Sequence, residues 1–181
     1  MQRLACFLLC LIPVACTKDG EQVFLHGVPA PISINEVQAT DPHCGNALDG
    51  TGDWIELHNS GVPHRLEAGE WYLTNDRTDL MLSELPGIDL GEQEAVRIWC
   101  NGQDGDPGAV HVPFTLADEG GWIALVHVRN GGILIIDTVQ YPPQDARNGL
   151  TTGRYPDGSQ AWMPLAFPTP GAPNEGPAYP P

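Results

Sequence analysis

Basic residues are scarce in this sequence. The chain of 181 residues carries 8 Lys and Arg against 23 Asp and Glu, a formal net charge of −15. Nucleic acids and anionic lipid surfaces are bound by cations that displace counterions, so no nucleic-acid partner is expected. Long apolar runs are missing too. The longest, Leu4 to Ala15, has twelve residues, whereas a helix crossing a bilayer core takes about 20. No stretch keeps apolar residues at a spacing of 3.6 for more than about two helical turns, which argues against a helical fold. Signatures of chemistry are equally sparse. The six histidines form no HxH, HExxH or HxxxH pair, so no metal set is expected from them. No serine sits in a G-x-S-x-G elbow, and no Gly-rich loop leads into a Lys that would complete a phosphate cradle. The sequence therefore predicts no catalytic residue, no metal ligand set and no bound cofactor, and so no enzyme.

What is present begins with an address. Arg3 precedes the apolar run, which ends Leu11-Ile12-Pro13-Val14-Ala15-Cys16 and gives way to Thr17-Lys18-Asp19-Gly20. A charged start, a short apolar core and a small residue before the cut describe a cleavable signal peptide. The boundary resembles the bacterial lipobox, in which the Cys after the small residue receives diacylglycerol before cleavage. Pro13 stands where that pattern usually has Leu. The resemblance implies lipidation at Cys16 and attachment to a membrane through several acyl chains, which hold where one does not. An Asp after the Cys would resemble inner-membrane retention. Thr17 stands there instead, so outer-membrane sorting in a bacterial cell envelope is expected. The chain divides into a signal peptide at 1–15, a linker at 16–31, a domain at 32–174 and a Pro-rich tail at 175–181.

Five cysteines fall into three groups. Cys6 and Cys10 leave with the signal peptide, Cys16 becomes the thioether, and Cys44 with Cys100 remains. An even pair in an oxidising compartment predicts a disulfide; two separate buried thiols are the alternative. Neither Cys has a second Cys or His at ligand spacing.

From Ile32 the pattern becomes one of short runs rich in Ile, Val, Leu and Trp, bounded by Gly, Asn, Asp or Pro. Strands are predicted at 32–37, 53–59, 71–74, 95–100, 122–128 and 133–141, with short ones near 110–114 and 153–155. Ile55 and Leu57 alternate with Glu56 and His58, as in a half-buried strand. Asn130-Gly131-Gly132 reads as a tight hairpin, because these residues accept positive φ. Residues 79–90 have room for one helical turn, limited by Pro86 and Gly87. Gly 21 and Pro 18 support many turns. The expected fold is all-β, a two-sheet sandwich of about seven or eight strands. After Pro164 the Pro-rich end is either an extended strap or a free tail.

Five segments resemble the lamin tail domain family. Asp53-Trp54-Ile55-Glu56-Leu57-His58-Asn59 is similar to the family's D-W-I-E-L-x-N strand, and Ile34-Asn35-Glu36-Val37 to its opening I-N-E strand. Trp71-Tyr72-Leu73-Thr74-Asn75-Asp76 resembles G-W-x-L-S-D, with Glu70 in place of Gly. Gly153-Arg154-Tyr155-Pro156-Asp157-Gly158 followed by Trp162 resembles the closing G-R-x-P-D-G…W. Pro168-Thr169-Pro170-Gly171-Ala172-Pro173-Asn174 resembles the T-P-G-x-x-N terminus of bacterial members. The resemblance implies an immunoglobulin-like sandwich of the exported bacterial branch, whose members are commonly accessory modules. The heptad rod, import signal and prenylated Cys of nuclear lamins are missing. On plain physical grounds Trp54, Trp71 and Trp162 are packing residues. Glu56 and Arg154 form either a cross-strand ion pair or two separately solvated charges.

The function expected from this is a non-catalytic, membrane-tethered interaction or structural module whose partner is another envelope or surface protein. The alternative is an accessory or cryptic calcium-dependent hydrolase of the cell surface. It would use the hard oxygen ligands of 46–53 and 101–106, although neither loop follows the twelve-residue calcium pattern.

Overall fold

The computed structural model describes residues 31–39, 52–102, 108–144 and 151–178. Every regular element among them is a strand, so the chain is all-β as the sequence predicts. The strands are β1 (Ile32–Gln38), β2 (Trp54–Asn59), β3 (His64–Leu66), β4 (Trp71–Thr74), β5 (Ser83–Glu84) and β6 (Ile88–Leu90). They continue with β7 (Ala95–Cys100), β8 (Val110–Val112), β9 (Gly121–Arg129), β10 (Gly132–Tyr141), β11 (Thr151–Arg154) and β12 (Trp162–Leu165). Twelve strands exceed the expected seven or eight. The four extra strands are short: β3, β5 and β6 have two or three residues each, too few to display an alternation, and β12 has four. Residues 79–90 form β5 and β6 and no helical turn, since Ile88 and Leu90 are buried on either side of exposed Asp89.

Two sheets carry the fold. One runs β12-β11-β1-β2-β7-β8, the other β10-β9-β4-β5, and β3 with β6 forms a small ribbon. All pairings are antiparallel except β7 with β8. The sheets share one core, in which Ile34, Ile55, Leu57 and Ile98 of the first sheet join Leu73, Ile123 and Leu125 of the second. All seven are fully buried, and burying each such side chain stabilises by about 1.5–3 kcal/mol. The result is a β-sandwich. Asn130 and Gly131 both have positive φ and form the hairpin between β9 and β10, with Gly132 paired to Arg129.

β11 and β12 form a second hairpin, pairing Arg154 with Trp162 and Thr151 with Leu165. Of the two outcomes for the C-terminal end, the described residues show the strap. The chain turns back after β12, so that Pro177 bridges Leu165 and the Ala178 amide donates to the Pro164 carbonyl at 3.0 Å.

Candidate functional site

β2 does not follow the half-buried pattern read from its sequence. All six residues are buried. Ile55 and Leu57 enter the core, while Glu56 points to the outer face of the sheet, where the strap lies over it. β1 delivers a second carboxylate to the same place. A bulge between Ile34 and Glu36 leaves Ile34 and Val37 both in the core and turns Asn35 and Glu36 toward the outer face. Bulges redirect side chains in this way.

Glu36 and Glu56 are direct cross-strand partners, and both are fully buried. Like charges in that position are destabilising, so their partners decide whether the pair is tolerated. The Thr169 amide donates to Glu36 Oε1 and Oε2 at 3.2 and 3.3 Å, and the Thr169 hydroxyl lies 3.1 Å from Oε2. The Gly171 amide donates to Glu56 Oε2 at 2.7 Å, and Asn35 Nδ2 donates to Glu56 Oε1 at 3.0 Å. Burial, then the neighbouring Glu56 charge, pushes the Glu36 carboxyl up to about 7, against the pull of Thr169. Burial raises Glu56 as well, opposed by Gly171 and Asn35. The pair shares its site because protonating one carboxyl removes the repulsion between them.

The closing hairpin ties this cluster together. Asp157 Oδ1 accepts from Asn35 Nδ2 at 3.0 Å and from the Asn174 amide at 3.2 Å. Asn174 Nδ2 donates to the Arg154 carbonyl at 2.7 Å, and the Gly158 amide donates to Asn35 Oδ1 at 3.0 Å. Gly153 permits the close approach: a Cβ there would stand 2.7 Å from Leu165 Cδ1 and 2.8 Å from the Asn35 carbonyl oxygen.

Arg154 is not the partner of Glu56. Its Nη2 donates to both carboxylate oxygens of Asp137, at 3.0 and 2.9 Å, joining β11 of one sheet to β10 of the other. Asp137 Oδ2 accepts the Ile34 amide at 2.8 Å, and Arg154 Nε donates to the Ile34 carbonyl at 2.8 Å. The ion pair thus satisfies the backbone of β1 where the ladder to β11, paired at Glu36 and Val37, does not reach. Opposite Glu56 in register stands Arg97 of β7.

Beside the strap lies a shallow depression of about 380 Å³, bordered by His58, Glu94, Asp157, Gly171 and Pro173. His58 is buried and its Nδ1 has no hydrogen-bond partner. Burial lowers its pKa, with Asp157 opposing, so the ring is held toward its neutral form. Elsewhere Trp71 is buried and stacks on His127 at 4.5 Å between centroids. Trp54 is buried, and Trp162 packs half-buried against the core, in keeping with packing roles.

The remaining predicted positions divide sharply. Cys16, Cys44, His26 and His43 lie outside the described residues. Cys100 ends β7 as a free and fully buried thiol, and burial pushes its pKa well up. Of the two acidic loops, residues 46–51 and 103–106 also lie outside the described residues. Asp53, the last residue of the first loop, is buried and accepts the Leu116 amide at 2.9 Å. Among the described residues no three His, Cys, Asp or Glu side chains converge as a metal site would require.

From the sequence the T-P-G-x-x-N segment resembles a family terminus and is part of a strap or tail, with no role toward particular side chains. That reading missed the carboxylate pair that this segment covers. The available signal was two glutamates inside strands that are otherwise apolar. Comparison with protein-family models and with curated proteins finds no match.

Proposed function

We propose that this chain is a non-catalytic, envelope-anchored interaction or structural module with an immunoglobulin-like, lamin-tail-type sandwich, tethered to a bacterial membrane through acylated Cys16. One observation carries the reading. The polar side chains of the resembling motifs, Asn35, Glu36, Glu56, Asp157 and Asn174, spend their hydrogen bonds on one another and on the strap. Paired carboxylates that act on a substrate must reach it. Here both are sealed from solvent by Thr169 and Gly171, and their effect is to fasten the C-terminal segment to the sheet. A domain locked in this manner presents a rigid frame whose edges and loops are left for partners.

The test is crosslinking in intact cells expressing the tagged full-length protein, with Cys16→Ser as control. Recovery of an envelope protein with the wild type and its loss from the control supports the tethered module. Capture of nothing by a correctly localised wild type would overturn it. Intact mass of the membrane-extracted protein separately tests the anchor, since a mass lacking acyl groups removes that part of the proposal.

A further inference from the structure

The longest strand of the domain is also an edge. β10 spans ten residues and is paired, among the described residues, with β9 alone. Proteins commonly protect such edges with Lys, Pro, inward charges or bulges, and β10 has a bulge between Ile135 and Asp137 that leaves its N-terminal half as the open edge. From Gly131 to Ile136 the sequence is Gly-Gly-Ile-Leu-Ile-Ile, with no charge and no Pro in a chain of net charge −15. Ile133, Leu134 and Ile135 are half-buried, and Ile136 packs half-buried against the main core. Ile133 and Ile135 extend an apolar cluster on the outer face of the sheet, over buried Tyr72, Ala124 and Val126.

The hairpin fixes which backbone groups are free. Its two-residue turn makes Arg129 and Gly132 the flanking pair, which in such hairpins is hydrogen-bonded. Antiparallel alternation then directs the amides and carbonyls of Gly132 and Leu134 to β9, and those of Ile133 and Ile135 outward.

We propose that this edge binds β10 of a second copy of the chain, antiparallel about a two-fold axis at Leu134. The outward groups select the register. Ile133 of one copy must face Ile135 of the other, with Leu134 opposite its own counterpart in a pair that is not hydrogen-bonded. In this register Ile133, Leu134 and Ile135 meet only one another and no like charges are opposed; the bulge between Ile135 and Asp137 ends the paired stretch there. A self-complementary strand is what an isologous contact requires. The two copies still repel at long range through their net charge, so added salt strengthens the contact. The proposal goes beyond the envelope-module reading and does not depend on the anchor.

The experiment co-expresses two differently tagged full-length copies, extracts them in excess detergent and measures capture of one by the other. Wild-type copies are expected to co-purify, more strongly at high salt than at low. Leu134→Lys places two ammonium groups opposite each other and is expected to reduce co-capture at least ten-fold while far-UV circular dichroism is unchanged. Should Leu134→Lys fail to fold, Gly132→Lys carries the test. That position is exposed, and its added Cβ meets only the Arg129 carbonyl oxygen, at an ordinary 3.5 Å. Leu134→Cys is expected to form an intermolecular disulfide on mild oxidation. Absence of wild-type co-capture at high salt overturns the proposal. So does co-capture that survives the folded Lys variants, or a Leu134→Cys protein that does not crosslink.

Discussion

Glu36 and Glu56 face each other across β1 and β2 with both carboxyl groups fully buried, and each accepts a backbone amide from the same C-terminal strap. Burial of the carboxyl first, and repulsion from the neighbouring Glu56 second, raise the Glu36 pKa. The arrangement makes the strap's attachment sensitive to proton binding.

Stability is therefore expected to depend on pH through Glu36. The folded carboxyl releases its proton near 7 and the ordinary group near 4.5, so the folded state binds this proton more tightly. The resulting stabilisation is fully present below about pH 4.5 and is lost as pH rises to about 7, on the order of 3 kcal/mol in all. His58 works in the opposite sense. Its lowered pKa favours the neutral ring, which stabilises above its ordinary value and is lost as pH falls. The difference between wild type and Glu36→Gln isolates the carboxyl. Gln mimics the protonated carboxyl, so urea midpoints measured from pH 4.5 to 7.5 should diverge as pH rises, the wild type losing stability relative to the variant; parallel curves would show that Glu36 titrates as it does in the unfolded chain.

The strap's hold on the pair predicts coupling between distant parts of the sequence. Thr169→Val removes the hydroxyl beside Glu36 and Asn174 and is expected to cost about 1–2 kcal/mol. Combined with Glu36→Gln, the loss should fall short of the sum by about 0.5 kcal/mol or more, as for residues in one network. Additive losses in the double-mutant cycle would mean that the strap and the carboxyl are independent.

Much of this architecture was legible in the sequence, for reasons that individual elements make clear. β1, β2, β7, β9 and β10 are long enough to show apolar enrichment between turn residues, and Asn130-Gly131 could be read as a turn from φ preference alone. β12 was hidden by Pro164, which argues against a strand. It is tolerated because β12 is the last strand of its sheet. The buried side of β2 was misread because period-2 alternation reports two faces but not what covers the second one. Here the cover is supplied by residues more than a hundred positions later. The Arg154–Asp137 pair was illegible for a related cause, since it joins two sheets whose packing no local pattern encodes.

That pair gives a third prediction. Arg154 and Asp137 side chains are 6% and 17% exposed, and both also serve the Ile34 backbone. Arg154→Met leaves Asp137 buried without its cation, and breaking one side of such a pair costs about 3–5 kcal/mol. Chemical denaturation should show that loss. A change within about 0.5 kcal/mol, the range of ordinary surface substitutions, would mean that the contact is dispensable.

Cys100 offers a probe of the core. Its thiol is fully buried and its pKa is raised by burial first and by the Asp53 charge second. Thiolate is the reactive form, so native protein should resist alkylation at Cys100 while protein unfolded without reductant labels fully. Peptide mass mapping reads both states. Failure to label in denaturant would show that Cys100 is already oxidised in the isolated protein.

Gly153 tests whether the strap depends on close backbone approach. A methyl group at this position meets Leu165 Cδ1, the Asn35 carbonyl oxygen and Asn174 Nδ2, all within 3.0 Å. Leu165 belongs to the neighbouring β12, Asn35 to the bulge of β1, and Asn174 to the end of the strap. Gly153→Ala must therefore displace at least one of the elements that enclose the glutamates, at a cost of about 1–3 kcal/mol for overpacking. The side chain at fault is distinguishable. If the strap yields, Glu36 regains solvent and its pH dependence shrinks along with the stability. If β12 yields, stability falls while that dependence is retained. Measuring urea midpoints of Gly153→Ala at pH 5 and pH 7.5 separates the two. A variant as stable as wild type at both values would mean that the backbone relaxes freely and that glycine is not required for the latch.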